Sequence, residues 1–194
     1  MGCDIHIYRE KLVDGQWISG DKWKEEEEWD GRISWVCEEI GDNRNYHLFS
    51  VLARVRCKIK PPTISFQPRG LPLRMSKEVE REEDDWGGYS HSQSHLYLHE
   101  LEELLDALQS STIKVTGAKD HKSLSELQKS IASNAPDWSL LYPYCKWCSY
   151  HTNYEYFEVD VPADFLCGKQ LQEIIDGLKE IGGDMQRVVF WFDS

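Results

Sequence analysis

The sequence predicts an α+β fold: a single domain over residues 1–194, with a mixed sheet, an N-terminal hairpin, a C-terminal strand-helix-strand unit and helices packed on the sheet. Three observations carry that expectation. Residues 3–13 open with the apolar and polar alternation of a half-buried strand, and Asp14-Gly15 follows as a type I′ turn signal. Residues 162–192 read as a helix, a Gly182-Gly183 stop and a strand rich in Val and Phe. The 194 residues, 40% of them apolar and 12% aromatic, are enough for one sizeable core.

In chain order, the first strand puts Cys3, Ile5 and Ile7 on one face and Asp4 and His6 on the other. The apolar set fits a core; the polar pair looks at solvent, at another strand's polar face or into a site. The return strand runs through Trp17 and Ile18. Lys22 to Asp30, with four glutamates at 25–28, reads as an acidic, Trp-containing loop or short helix. Asn45 to Arg56 spaces Tyr46, Phe49, Leu52, Ala53 and Arg56 as a helix does, and Leu48 and Val51 widen the stripe. Pro61, Pro62, Pro68, Gly70 and Pro72 then leave an ordered loop carrying Arg69 and Arg74, inside a loop-rich segment 57–90. Trp86-Gly87-Gly88-Tyr89 reads as a turn or joint. A helix is expected at 98–109, a short strand at 110–117, a short helix at 124–132 and a strand at 155–161. Pro162 to Asp164 opens a helix that reaches Ile181, and the strand at 187–192 is expected in one sheet with the first strand.

The formal charge of −12 opposes general binding of DNA or RNA. Its placement is uneven: Arg54 to Lys77 holds seven basic residues and no acid, whereas Glu78 to Asp85 holds six acids and one Arg. The contrast fits a local cationic patch for a compact anion, or a solvated face balanced by neighbouring acids. No apolar run is long enough to span a membrane and no signal-peptide pattern opens the chain, so a cytoplasmic protein with no membrane role is expected. Its six cysteines are then thiols or ligands.

Three constellations could carry chemistry. Asp4 and His6 together with His91-Ser92-Gln93-Ser94-His95 supply the residue types for a divalent metal or for general acid and base steps on a phosphodiester. If 91–95 is extended, His91 and His95 share a face. The plainer alternative is a His6–Asp4 hydrogen bond at a strand end and serines that cap the next helix. Cys145-Lys146-Trp147-Cys148 with His151 has the spacing of a zinc knuckle, a redox pair or two buried thiols. His95, His99 and Glu102 or Glu103 could meet on a helix face, which is equally a solvated one. Gly-rich phosphate loops and Gly-x-Ser-x-Gly are absent. Asp4-Ile5-His6 matches the opening of calcineurin-like metallophosphatases, but that family's Gly-Asn-His-Glu stretch is missing, which excludes it.

Met1 to His6, Arg44 to Phe49, Val55-Arg56, Arg69 to Pro72, His91 to Ser94, Leu98 with Glu100-Leu101, and Arg187 to Asp193 together resemble a family of small bacteriophage and prophage proteins that begin Met-Gly-Cys-Asp-Ile-His. The resemblance implies a viral setting in a host cytoplasm and no particular activity. The chain differs from it in Tyr97, where a Thr would cap the helix, and in His95 and His99.

The leading expectation is a small phosphorylated, nucleotide-like ligand bound, and in its further form hydrolysed, at an Asp/His/Arg site. Asp4, His6 and His91 form the catalytic set, with His6 or His91 as general base and Asp4 orienting it or binding metal. Arg56, Arg69, Ser92, Ser94 and Arg187 bind the ligand, and Cys145, Cys148 and His151 are the metal candidates. The cofactor stays open between none and a divalent metal, zinc or magnesium or manganese. The competing expectation is an accessory or anti-defence protein that inhibits a host protein through the acidic runs 25–28 and 78–85. A zinc-stabilised structural module is the third.

Overall fold

The computed structural model describes residues 2–27, 29–37, 44–56, 65–119, 121–133, 135, 137, 140 and 155–193. Strand β1 (Ile5–Val13) turns through Asp14 and Gly15 into β2 (Gln16–Ser19). Both turn residues hold the positive φ, 50° and 77°, that a type I′ turn requires, so the predicted hairpin forms.

The acidic stretch after it is extended rather than a loop or short helix: β3 (Trp23–Glu27) pairs antiparallel with β4 (Ile33–Cys37). Trp23 stands opposite Cys37, and both pack on the central sheet. That anchor outweighs the weak strand preference of glutamate. Helix α1 (Tyr46–Ala53) starts at Asn45, whose side-chain oxygen accepts from the His47 and Leu48 N–H groups. It ends three residues before the expected Arg56, because Arg54 turns to φ 54°. The loop from 65 carries Arg69 and Arg74 as expected. The acidic run 78–85 belongs to α2 (Lys77–Trp86), which Ser76 caps, with Glu78 and Glu80 in the first turn where the helix dipole favours them.

Then follow β5 (His91–Tyr97), α3 (Leu98–Gln109), β6 (Thr112–Lys119), α4 (His121–Ala132), β7 (Glu155–Pro162), α5 (Gly168–Ile181) and β8 (Met185–Phe192). The α+β class is as expected, and the main sheet has the order β2-β1-β8-β5 with β1 and β8 side by side. Each of its pairings is antiparallel, where a mixed sheet was expected. The reason is that β7 pairs with β6 in a sheet of its own, so the β7-α5-β8 unit links two sheets and makes no parallel crossover.

The central sheet is covered on both sides. Ile5, Ile7, Val188, Phe190 and Phe192 face α1, α3 and α5 in the principal core. Tyr8, Val189 and Trp191 face α2, the β3–β4 hairpin and the loop at Leu71 and Met75. The second cover explains why His6, Tyr8 and Glu10, on the polar side of β1, are buried. Among the described residues, no helix is long and apolar enough to cross a membrane.

Candidate ligand-binding cleft

Ile5 pairs with Phe192, and the ladder continues one residue further: the Asp193 N–H donates to the Asp4 carbonyl at 3.2 Å. Asp4 and Asp193 are therefore neighbours on the face that also carries His6 and Trp191. The Asp4 N–H donates to Asp193 Oδ1 at 2.9 Å, and His6 Nε2 lies 3.5 Å from Asp193 Oδ2. Trp86, at the end of α2, lays its ring 4.2 Å from the His6 ring. Three residues on, after a 3₁₀ turn at Gly87–Tyr89, the Tyr89 ring is 82% exposed.

Arg44, one residue ahead of the α1 cap, forks onto Asp4 with Nε to Oδ1 at 2.7 Å and Nη2 to Oδ2 at 2.5 Å. The guanidinium lies over Gly2: a Cβ there would come within 2.5 Å of Nη1, so a larger residue at this position would make the arginine shift. This fork holds the Asp4 carboxyl below its usual range, and the same contact pushes Arg44 still further up. Gly2, Asp4, Arg44, Trp86, Tyr89 and Asp193 line a cleft of roughly 330 Å³.

Two residues of the sequence-predicted set meet here, Asp4 and His6. His6 is only 8% exposed, its Nε2 is turned to Asp193 and its ring lies against Trp86, so it stands behind two of the cleft-lining residues and does not line the cleft itself. Arg56 is close by: its Nη2 donates to the Gly2 carbonyl at 3.1 Å. His91 is at the same end of the sheet but on the other face. It stands opposite Phe192 and stacks on that ring at 6.0 Å, two strand spacings, about 10 Å, from β1.

A bulge explains its placement. Ser92 and Gln93 lie between the His91–Phe192 and Ser94–Phe190 pairs, where Trp191 alone separates the partners, and Ser92 takes φ 54°. The extra residue flips the alternation, so His91 and His95 do not share a face. The Ser92 hydroxyl meets His91 Nδ1 at 3.0 Å, and His95 Nδ1 donates to the Gly70 carbonyl at 3.2 Å instead of joining a helix face. Burial lowers the His95 pKa.

The other two expected ligand-binding arginines, Arg187 and Arg69, are committed elsewhere. Arg187 is buried with Glu10, its Nε donating to Oε2 at 2.7 Å, and it also donates to the Arg74 carbonyl. It is five residues, about 17 Å, along β8 from Phe192. Arg69 forks onto Glu100 at 2.6 and 3.0 Å, and its N–H donates to the Oγ of Ser94, which is fully buried. Burial works to raise the Glu100 pKa, but Arg69 and the Tyr97 N–H outweigh it and the net shift is downward. Both arginines and Ser94 thus hold the fold together and do not face the cleft. Cys145, Cys148 and His151 lie outside the described residues. Among the described residues, no group of three or more His, Cys, Asp or Glu side chains is arranged to hold a metal ion.

Asp193, Arg44, Trp86, Tyr89 and Gly2 were not among the sequence-predicted site residues. The signal for Asp193 was present: once the first and last strands are placed antiparallel in one sheet, a carboxylate next to Phe192 falls beside Asp4. Comparison of the chain with protein-family models, with curated proteins and with solved structures finds no match. The geometry therefore defines only a class, an antiparallel α+β protein with an aromatic and carboxylate cleft at the β1–β8 sheet end.

Proposed function

We propose that this protein binds a small phosphorylated, nucleotide-like ligand in the cleft at the β1–β8 sheet end, in the phage setting that the N-terminal resemblance implies. The observation that carries the reading is the conjunction of the exposed Tyr89 ring and Trp86 with Arg44 and Asp193 around one cleft. Rings of this kind supply a stacking platform for a base. The fork on Asp4 uses two of Arg44's five N–H donors, and among the described residues no partner takes the others, which suits them to a phosphate.

The cleft offers carboxylate acceptors beside its guanidinium, which suits a ligand that brings hydrogen-bond donors together with a phosphate. A nucleotide does both. Binding rather than hydrolysis is the function these contacts support, because His6 is held between Trp86 and Asp193.

Isothermal titration with nucleoside monophosphates tests the reading. Tyr89→Ala is expected to weaken binding by about 1–3 kcal/mol, the worth of one base–aromatic stack. Arg44→Ala is expected to remove the advantage of a monophosphate over its nucleoside. Equal affinity of the wild type for nucleoside and nucleotide, or no binding of either, overturns it.

A second reading has its own observation. Helix α2 and the β3–β4 hairpin cover the same sheet face, tied by Arg81 over the Trp35 ring at 4.6 Å, so Glu25, Glu26 and Glu27 and the run 78–85 lie on one side of the sheet. Trp29, on the hairpin, is 94% exposed. An inhibitor that binds a host nucleic-acid enzyme through this side would lose its effect on host nuclease activity when Glu25, Glu26 and Glu27 are changed to Lys, while nucleotide binding stayed intact.

A further inference from the structure

We infer that the cleft discriminates between bases and prefers guanine, with Asp193 as the group that reads it; this rests on the nucleotide reading above. Of the two carboxylates lining the cleft, Asp4 is forked at both oxygens by Arg44, whereas Asp193 is not. Asp193 Oδ1 accepts one backbone N–H and Oδ2 faces His6, and the side chain remains 27% exposed. A carboxylate has about four acceptor positions, two on each oxygen, so among the described residues at least one on each oxygen is left.

Two parallel acceptors complement two parallel donors. Guanine is the common base that presents them, with N1–H next to the 2-amino group. Adenine and cytosine set an amino donor beside a ring-nitrogen acceptor, whose lone pair would face a carboxylate oxygen. Uracil flanks its single N3–H with two carbonyl oxygens. A part-exposed carboxylate thus accepts guanine with two charge-assisted hydrogen bonds and meets repulsion from each alternative. The contacts of Asp193 with Asp4 and His6 fix the direction of its carboxylate, so His6 is a positioning residue for it.

Titration calorimetry with GMP, IMP, AMP, CMP and UMP on the wild type and on Asp193→Asn decides the matter. GMP is expected to bind at least about tenfold more tightly than AMP, CMP or UMP, one good bidentate contact's discrimination. IMP, which keeps N1–H and lacks the 2-amino group, is expected between them. Asp193→Asn keeps an oxygen for the Asp4 N–H and is expected to retain its melting temperature while losing the preference. Equal binding of all five nucleotides, a preference for another base, or a guanine preference that survives Asp193→Asn overturns the inference and leaves nucleotide binding standing. No binding of any nucleotide overturns both.

Discussion

Glu10 and Arg187 face each other across β1 and β8, essentially closed to solvent, and Glu10 Oε1 also accepts the Ser76 N–H at 2.5 Å. The Arg187 guanidinium lies 3.6 Å from the centre of the Trp17 ring. Removing one charge strands the other, so Glu10→Gln is expected to cost about 3–5 kcal/mol in urea unfolding, whereas the double replacement Glu10→Leu with Arg187→Met costs far less. At the cleft the arginine pair is exposed and behaves differently. Because Arg44 lowers the Asp4 pKa in the folded state, the contribution of this pair is fully present above the carboxyl's ordinary value of 3.8 and is lost as pH falls through the lowered one. The Arg44 Nε signal followed by NMR is therefore expected to keep its paired position from pH 8 down to pH 5 and to move only below about pH 4. The sequence offered Arg187 as an anion binder and did not single out Arg44 as a site residue. What separates them is which acid stands opposite: Arg187 meets Glu10 through strand register and Arg44 forks onto Asp4, and neither partner is near in sequence.

Asn45 joins two elements. Its oxygen caps α1, while its amide nitrogen donates to the Leu166 carbonyl and to Gln170 Oε1 beside the start of α5. Asn45→Ala is expected to lose about 1 kcal/mol for the cap alone. The further loss of the α5 contacts should appear as a larger total in chemical denaturation, and Asn45→Ser, which keeps the cap, separates the two contributions. Elements with a strong local signal were legible: the β1–β2 hairpin from Asp14-Gly15, α1 and α3 from their apolar stripes, and the stop of α5 at Gly182, φ 63°. Those decided by tertiary contacts were not. The glutamates of β3 are extended because Trp23 is anchored beside Tyr8, their rings 5.6 Å apart, and the acidic α2 is held by the single buried Val79 and by Trp86. The bulge at Ser92-Gln93 has no glycine to announce it, so the face of His91 could not be read from alternation.

At the scale of the molecule, the cleft draws on parts far apart along the chain: the Asp4 to Asp193 hydrogen bond spans 189 residues. Closing so long a loop must precede the reward of the β1–β8 pairing, which makes that step entropically costly and slow. During synthesis, β1 emerges early with Ile5, Ile7 and Tyr8 bare and waits for β8. In that interval β2 pairs only its Glu10–Val13 half, and the apolar half from Ile5 to Tyr8 is open to the wrong partners. The same topology that sets the two aspartates side by side makes β1 depend on β8, and a chain released before β8 is made is expected to carry an aggregation-prone β1 and no cleft.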